Sequence, residues 1–224
     1  MKLDTTPDRS TETSSAPTRR KNDPEGMRRR ILEAALDEFA RAGLSGARLD
    51  AIAERAQTSK RMVVYYFKSK VGLYVAVLEK VYGDIREAEQ EQHIEALTPV
   101  EAVARLVELS FDYQSTHPEF NRLVSIENIH YARHIAKSRR IRNDNRSVID
   151  SIDAVLARGR AAGLFRNDVD AIDLHLLISA LCFFPVSNRH TFAVLFGRDP
   201  AEDANRARHR RIAVDAVLAY LTAK

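Results

Sequence analysis

The sequence predicts an all-α fold in which a three-helix N-terminal domain is joined to a larger helical body. From Met27 onward, apolar residues recur three and four positions apart, which is the spacing of one helix face. No stretch of useful length alternates between apolar and polar residues, as a half-buried strand would. Proline and glycine interrupt the helical pattern at several points and so divide it into separate helices. The length of 224 residues is sufficient for one large domain or two modest ones.

Charge divides the chain unevenly. Residues 26–80 carry eleven basic and six acidic side chains, whereas residues 81–224 carry nineteen basic and twenty acidic ones. The positive excess therefore lies in one N-terminal segment, which indicates a polyanionic partner.

Residues 1–25 are rich in Thr, Ser, Pro and charge and show no apolar periodicity, so they are predicted to form a disordered tail. The basic cluster Arg19-Arg20-Lys21 leaves two interpretations open. It is either part of a soluble extension or an arm that adds phosphate contacts next to the following domain.

Residues 26–72 are predicted to form the N-terminal domain. A first helix begins near Met27 and ends at Gly43, since glycine accepts the left-handed conformation that terminates helices. A second short helix carries the apolar stripe that starts at Leu49. A third runs over Lys60–Phe67 and is capped by Ser59 or Thr58. A fourth helix follows the break at 68–70 and opens the body, 73–224.

The second and third helices, joined by a short turn, have the form of a helix-turn-helix. A short helix fits the major groove of DNA, and its N-terminal N–H groups attract phosphate. Basic and tyrosine side chains there can bond phosphates or base edges, although they could also be solvated or packed in the core, where Phe67 is expected. The predicted DNA contacts are Arg48, Thr58, Ser59, Lys60, Arg61, Tyr65, Tyr66 and Lys70.

The stretches 31–43, 52–56 and 58–70 together resemble the DNA-binding domain of the tetracycline-repressor (TetR/AcrR) family. The resemblance implies a homodimer whose two recognition helices read a near-palindromic double-stranded operator, and a small-molecule effector that binds the body and releases the DNA. Two departures stand out. Val64 occupies a position where the family usually has tyrosine, and Ala47-Arg48 replaces a frequent threonine or serine.

Beyond residue 98 the pattern predicts helices over 99–115, 118–136, 139–162, 168–187, 189–197 and 204–222. Aromatic and polar side chains near the break at Pro185, with others on helix 118–136, predict an effector pocket for an aromatic or carboxylate ligand. One alternative interpretation is ordinary core packing. Another is a metal site formed by Glu127, His130 and His134, for which the sequence indicates no fourth ligand. The predicted ligand contacts are Phe120, His130, Tyr131, Phe184 and Arg189.

The last two long helices carry apolar stripes that predict a four-helix dimer interface. The alternative is that both stripes face the core of their own chain. The predicted interface residues are Leu174, Leu177, Leu181, Val214, Val217 and Leu221.

Several classes of protein are disfavoured. No apolar run is long enough for a membrane span. The single Cys182 excludes an internal disulfide framework and favours a cytoplasmic setting. No catalytic or nucleotide-binding signature is present, so neither an enzyme nor a cofactor is predicted. The remaining alternatives to a DNA-binding regulator are a helical dimeric interaction protein and a small-molecule-binding protein without specific DNA binding.

Overall fold

A computed structural model describes residues 23–223, which form ten α-helices and no strand. The predicted all-α fold is confirmed. The predicted disordered tail lies outside the described residues except for its last three, and there the helix starts earlier than expected, because the Asp23 carboxylate caps the Gly26 N–H and Pro24 occupies the first turn. The helices are α1 (Pro24–Gly46), α2 (Leu49–Arg55), α3 (Lys60–Phe67), α4 (Lys70–Gln90), α5 (Pro99–Thr116), α6 (Pro118–Ile129), α7 (Arg139–Ala161), α8 (Ala171–Ser187), α9 (Arg189–Phe196) and α10 (Asp203–Thr222).

The first three helices and the N-terminal half of α4 form the head. Its core is built around the fully buried rings of Phe39 and Tyr74, whose centroids lie 5.0 Å apart in an edge-to-face arrangement. Gly43 has a φ of 66°, which ends the regular part of α1 as predicted and turns the chain towards α2.

Helix α4 runs without a break from the head into the body. Its residues Leu73, Val77 and Val81 belong to the same core as the head helices, and this core continues to Leu123 of α6, so the predicted domain boundary at 72/73 falls inside a continuous helix. Ser69 caps α4 by accepting the Gly72 N–H at 3.0 Å. A Cβ at Gly72 would collide with the Phe67 carbonyl oxygen, so only glycine fits at this close approach of α3 and α4.

The body has a second core between α5, α7, α8 and α10. Leu174, Val217 and Leu221 are almost completely buried in it. Their prediction as dimer contacts is therefore wrong, because each side chain is buried against residues of its own chain and has no surface left to contact a partner. Leu177, Leu181 and Val214 are only partly buried against the same core.

Helix α6 ends at Ile129 and not at residue 136. Tyr131 and Ala132 take positive φ values of 57° and 54°, which no α-helix continues. The reason lies in Glu127, which is buried and accepts the N–H groups of His134 and Ile135 at 3.1 and 3.0 Å and the His134 ring at 2.8 Å. The carboxylate thereby folds the following loop back over the helix end.

No single helix among residues 23–223 is long and apolar enough to cross a membrane. Helices α8 and α9 together reach the required length and apolar composition, but they meet at an angle of 67°.

Candidate nucleic-acid interface and effector cavity

The corner between α1 and α2 is held by a buried carboxylate. Glu38 accepts the Arg41 guanidinium at 2.8 Å and the Arg48 N–H at 3.2 Å. The hydrogen bond from Arg41 holds the pKa of Glu38 below its ordinary value in spite of burial. The start of α2, with the exposed Arg48 side chain, is thereby fixed relative to α1.

Helix α3 presents its polar face outward. Ser59 caps it by accepting the Met62 N–H at 3.3 Å, while Val63 and Phe67 anchor the opposite face in the head core. The exposed face carries Arg61 and a Tyr65 ring that is 65% exposed. An anchored helix with cations and a phenol on its free side has the shape and chemistry of a major-groove reader.

The other predicted DNA contacts divide into two groups. Lys60 and Lys70 lie at the same surface but have intramolecular partners, with the Lys60 ammonium 3.1 Å from Asp50 Oδ2 and the Lys70 ammonium 3.2 Å from the Ser45 carbonyl oxygen. Tyr66 is half-buried against the head core and meets Tyr65 edge to face, so Tyr65 is the more outward of the two rings. Thr58 is half-buried in the turn before α3.

Two family models match this architecture. One is described as bacterial regulatory proteins, tetR family, and matches residues 31–77, while a Tetracyclin repressor-like C-terminal domain matches residues 99–217. The chain belongs to the TetR family of transcriptional regulators. The resemblance seen in the sequence is confirmed, and the second match extends it to the body, where the sequence alone indicated only length and helicity.

Individual relatives cover most of this TetR-family chain. It is 34% identical over 177 residues to the HTH-type transcriptional repressor NicS of Pseudomonas putida, across 79% of this chain and 84% of the relative. It is 30% identical over 197 residues to the HTH-type transcriptional repressor SCO4008 of Streptomyces coelicolor, across 85% and 96%. The crystal structure of SCO4942 from Streptomyces coelicolor is 29% identical with a TM-score of 0.66, across 85% and 96%.

The structure does not bring the predicted ligand residues of this TetR-family regulator together. Phe120 and Arg189 border different cavities on opposite faces of α6, and Phe184, 53% exposed, borders a groove between α8 and α10. Tyr131 is 94% exposed and is no pocket wall, so that prediction is wrong. His130, at the end of α6, borders neither cavity next to that helix.

The larger of the two cavities beside α6 measures about 620 Å³ and contains Arg189. This guanidinium already makes a bidentate pair with Asp199, at 2.9 Å from Nε to Oδ1 and 2.7 Å from Nη2 to Oδ2. The pair raises the pKa of Arg189 and lowers that of Asp199. The pair of parallel donors formed by Nε and Nη2 is therefore already bound to a carboxylate of the same chain.

The smaller cavity, about 400 Å³, lies between α4, α5, α6 and α8. Its walls include the aromatic rings of Tyr82, Phe120 and Phe183 and the buried side chains of Arg86 and Gln114. We refer to it as the α4–α8 cavity. Buried polar groups beside several aromatic rings in a concave site are typical of small-molecule binding, so this cavity is the better candidate.

A nearly buried ion pair, formed by Arg86 and Glu89, borders the α4–α8 cavity. Arg86 Nη1 is 3.0 Å from Glu89 Oε2, and both side chains are nearly buried. Burial raises the pKa of Glu89 to about 7 against the opposing attraction of Arg86, and burial lowers the pKa of Arg86. Burial, together with the charge of Arg86, also lowers the pKa of His175, which borders the same cavity.

The sequence interpretation missed Arg86, Glu89, Gln114 and His175. A signal for the first two was present, because the apolar stripe of α4 continues through Val81 and Ile85, and positions 82, 86 and 89 flank that stripe. The other two lie on helices whose relative rotation only the fold defines. The structure does not bring Glu127, His130 and His134 together as a metal site. Glu127 and His134 form a hydrogen-bonded pair, and the described residues contain no cluster of three metal-binding side chains.

Proposed function

We propose that this DNA-binding regulator acts as a homodimeric repressor whose two α3 helices enter successive major grooves of a near-palindromic operator and whose affinity for DNA falls when a small molecule binds the body. The capped, outward-facing α3 supports the DNA-binding half of the proposal. The exposed cations and Tyr65 supply phosphate and base contacts at that surface. The proposed contact set also includes Ser59 and Thr58, and Arg48 and Lys70 at the edges of this surface.

Helix α4 supports the coupling between the two sites. It begins beside α3 at Lys70 and contributes Arg86 to the α4–α8 cavity, so one helix carries both surfaces about 24 Å apart along its axis. An effector that binds better when α4 is displaced shifts the population of heads away from the operator spacing. The regulator needs no catalytic group for this action, and we place it in the reducing cytoplasm, where its DNA target and a free Cys182 are compatible.

The outer surface of α8, α9 and α10 supports dimerisation. Exposed apolar side chains there include Ile172, Leu176, Phe184 and Ile212, and Leu177 and Leu181 border an apolar groove between α8 and α10. Exposed apolar side chains grouped on adjacent helices are typical of a protein interface. The proposed dimer contacts are therefore these exposed side chains, and not the buried Leu174, Val217 and Leu221.

A DNA-binding titration tests the proposed regulator. Fluorescence anisotropy with the duplex that precedes the protein's own gene should show sequence preference and a steep loss of affinity with salt. Lys60→Ala should weaken binding by about 1–3 kcal/mol and relax the preference if Lys60 leaves Asp50 to read a base. Arg208→Ala, an exposed arginine of α10, is the control and should bind normally. Equal affinity for unrelated duplexes would favour the alternative of an interaction protein without specific DNA binding.

Sedimentation tests the dimer. Leu176→Asp should yield monomers at micromolar concentration because it places a charge in the proposed interface. Ile129→Asp, at a comparably exposed apolar position on α6, should leave the assembly unchanged. A monomeric unmodified protein would overturn this part of the proposal.

A further inference from the structure

The α4–α8 cavity contains a positive group that its own chain leaves without hydrogen bonds. Arg86 is only 7% exposed, yet neither its Nε nor its Nη1 has a hydrogen-bond partner among the described residues, and both atoms are shielded from solvent. The Glu89 carboxylate is near Nη1 but lacks the alignment that a hydrogen bond requires. Buried N–H donors of a charged group are costly to leave unpaired. These two atoms have almost no accessible surface, so an acceptor in the cavity reaches them when the guanidinium turns towards it.

The rest of the wall defines what that acceptor belongs to. Tyr82 and Phe120 meet edge to face at 5.4 Å, and Phe183 borders the cavity from α8. These rings offer flat apolar contact to a ring-bearing ligand. Gln114 also borders the cavity and adds a buried side-chain amide whose oxygen has no hydrogen-bond partner. That oxygen has almost no accessible surface, so it bonds a polar substituent of such a ring after a similar rotation.

Charge balance distinguishes an acid from a neutral ligand. Glu89 is the one carboxylate that borders this cavity in the described part of the chain. Its pKa of about 7 means that it takes up a proton readily when a second carboxylate arrives next to Arg86. The incoming anion can therefore replace Glu89 as the counter-ion of Arg86, and the cavity then holds one positive and one negative charge.

From these observations we propose that the α4–α8 cavity binds a small ring-bearing carboxylate. The Arg86 side chain turns towards this carboxylate and donates its unpaired N–H groups to it, while the ring lies against Tyr82, Phe120 and Phe183. This inference rests on the proposed function, because it assigns the chemical class of the effector. It also replaces Arg189 by Arg86 as the anchor.

The test uses matched acids and amides as probes. Dissociation constants of benzoate, phenylacetate and 2-naphthoate, and of their carboxamides, are measured by titration calorimetry on the full-length protein at pH 7. At least one acid should bind at least tenfold more tightly than its amide. The variant Arg86→Met/Glu89→Gln removes both charges together, which avoids an unpaired buried ion, and should bind that acid about 10- to 150-fold more weakly while its amide is little affected.

Two single variants complete the design. Glu89→Gln should bind the acid at least as tightly as the unmodified protein, since no competing carboxylate remains beside Arg86. Arg189→Met, in the neighbouring 620 Å³ cavity, should leave the acid–amide ratio unchanged. Circular dichroism confirms that each variant is folded.

The possible failures are distinguishable. If no acid is preferred over its amide, or if the double variant retains the preference, the assignment of a carboxylate to Arg86 is overturned. If the acid is preferred through Arg86 but does not change binding to the operator duplex, the binding-site inference stands and the proposed effector-controlled release fails.

Discussion

Replacing Glu89 by glutamine should change how the stability of the protein depends on pH. The carboxylate is 11% exposed beside Arg86, and its pKa rises from 4.5 to about 7 on folding. Between these two values the folded state holds a proton that the unfolded state has released, so stability falls as pH increases and becomes constant above about pH 7. Glutamine mimics the protonated side chain at every pH.

The size of the effect follows from that shift. Each pH unit in the interval contributes about 1.4 kcal/mol, so from pH 5 to pH 8 the ionisation of Glu89 costs the unmodified protein about 2–3 kcal/mol of unfolding free energy. The difference in stability between Glu89→Gln and the unmodified protein should therefore grow by about 2–3 kcal/mol in favour of the variant over this range. Any constant offset from the altered contact with Arg86 cancels in the comparison.

Urea denaturation followed by circular dichroism at pH 5, 6, 7 and 8, at fixed ionic strength and protein concentration, measures this difference. Glu87→Gln, at an exposed position of the same helix, is the control and should show an offset that is independent of pH. A difference for Glu89→Gln that stays flat, or that shrinks towards pH 8, would refute the burial of this carboxylate beside Arg86.

Other substitutions test packing and capping. Gly159→Ala should destabilise the body by about 1–3 kcal/mol in urea denaturation, because the new Cβ would collide with the Phe165 ring; Gly83→Ala, where a Cβ meets only ordinary contacts at 3.5 Å, should be neutral or stabilising by up to about 1 kcal/mol. Ser59→Ala should cost about 1 kcal/mol through loss of the α3 cap, and an unchanged denaturation midpoint would remove that role. Tyr65→Phe should weaken binding to all DNA sequences alike in anisotropy titrations if the hydroxyl contacts phosphate, and a sequence-dependent loss would instead assign it to a base.

Local pattern was sufficient for the head. Helix α3 begins and ends where its cap and its apolar residues predicted, because Ser59, Val63 and Phe67 act within two helical turns. The positive excess of residues 26–80 likewise needed no fold to be recognised. Properties that depend on neighbours in sequence are readable from the sequence.

The extent of α6 needed the tertiary structure. Residues 130–136 have a composition compatible with helix, but the buried Glu127 carboxylate captures the N–H groups of His134 and Ile135 and the chain turns away at Tyr131. A carboxylate deprived of water must find donors, and the loop folded back upon Glu127 supplies the N–H groups of His134 and Ile135.

The candidate binding sites also show which features follow from local sequence patterns and which depend on the packing of the helices. Sequence patterns were enough to predict the helical class, the recognition helix α3 within a basic segment, and the apolar stripes on α8 and α10. Only the packing of helices decided that Leu174 and Val217 face inward, that Arg189 is held by Asp199 and that Arg86 is buried among aromatic rings. Two arginines are alike in a sequence, and the physical difference between them is access to water, which depends on the rotation and spacing of helices distant in the chain.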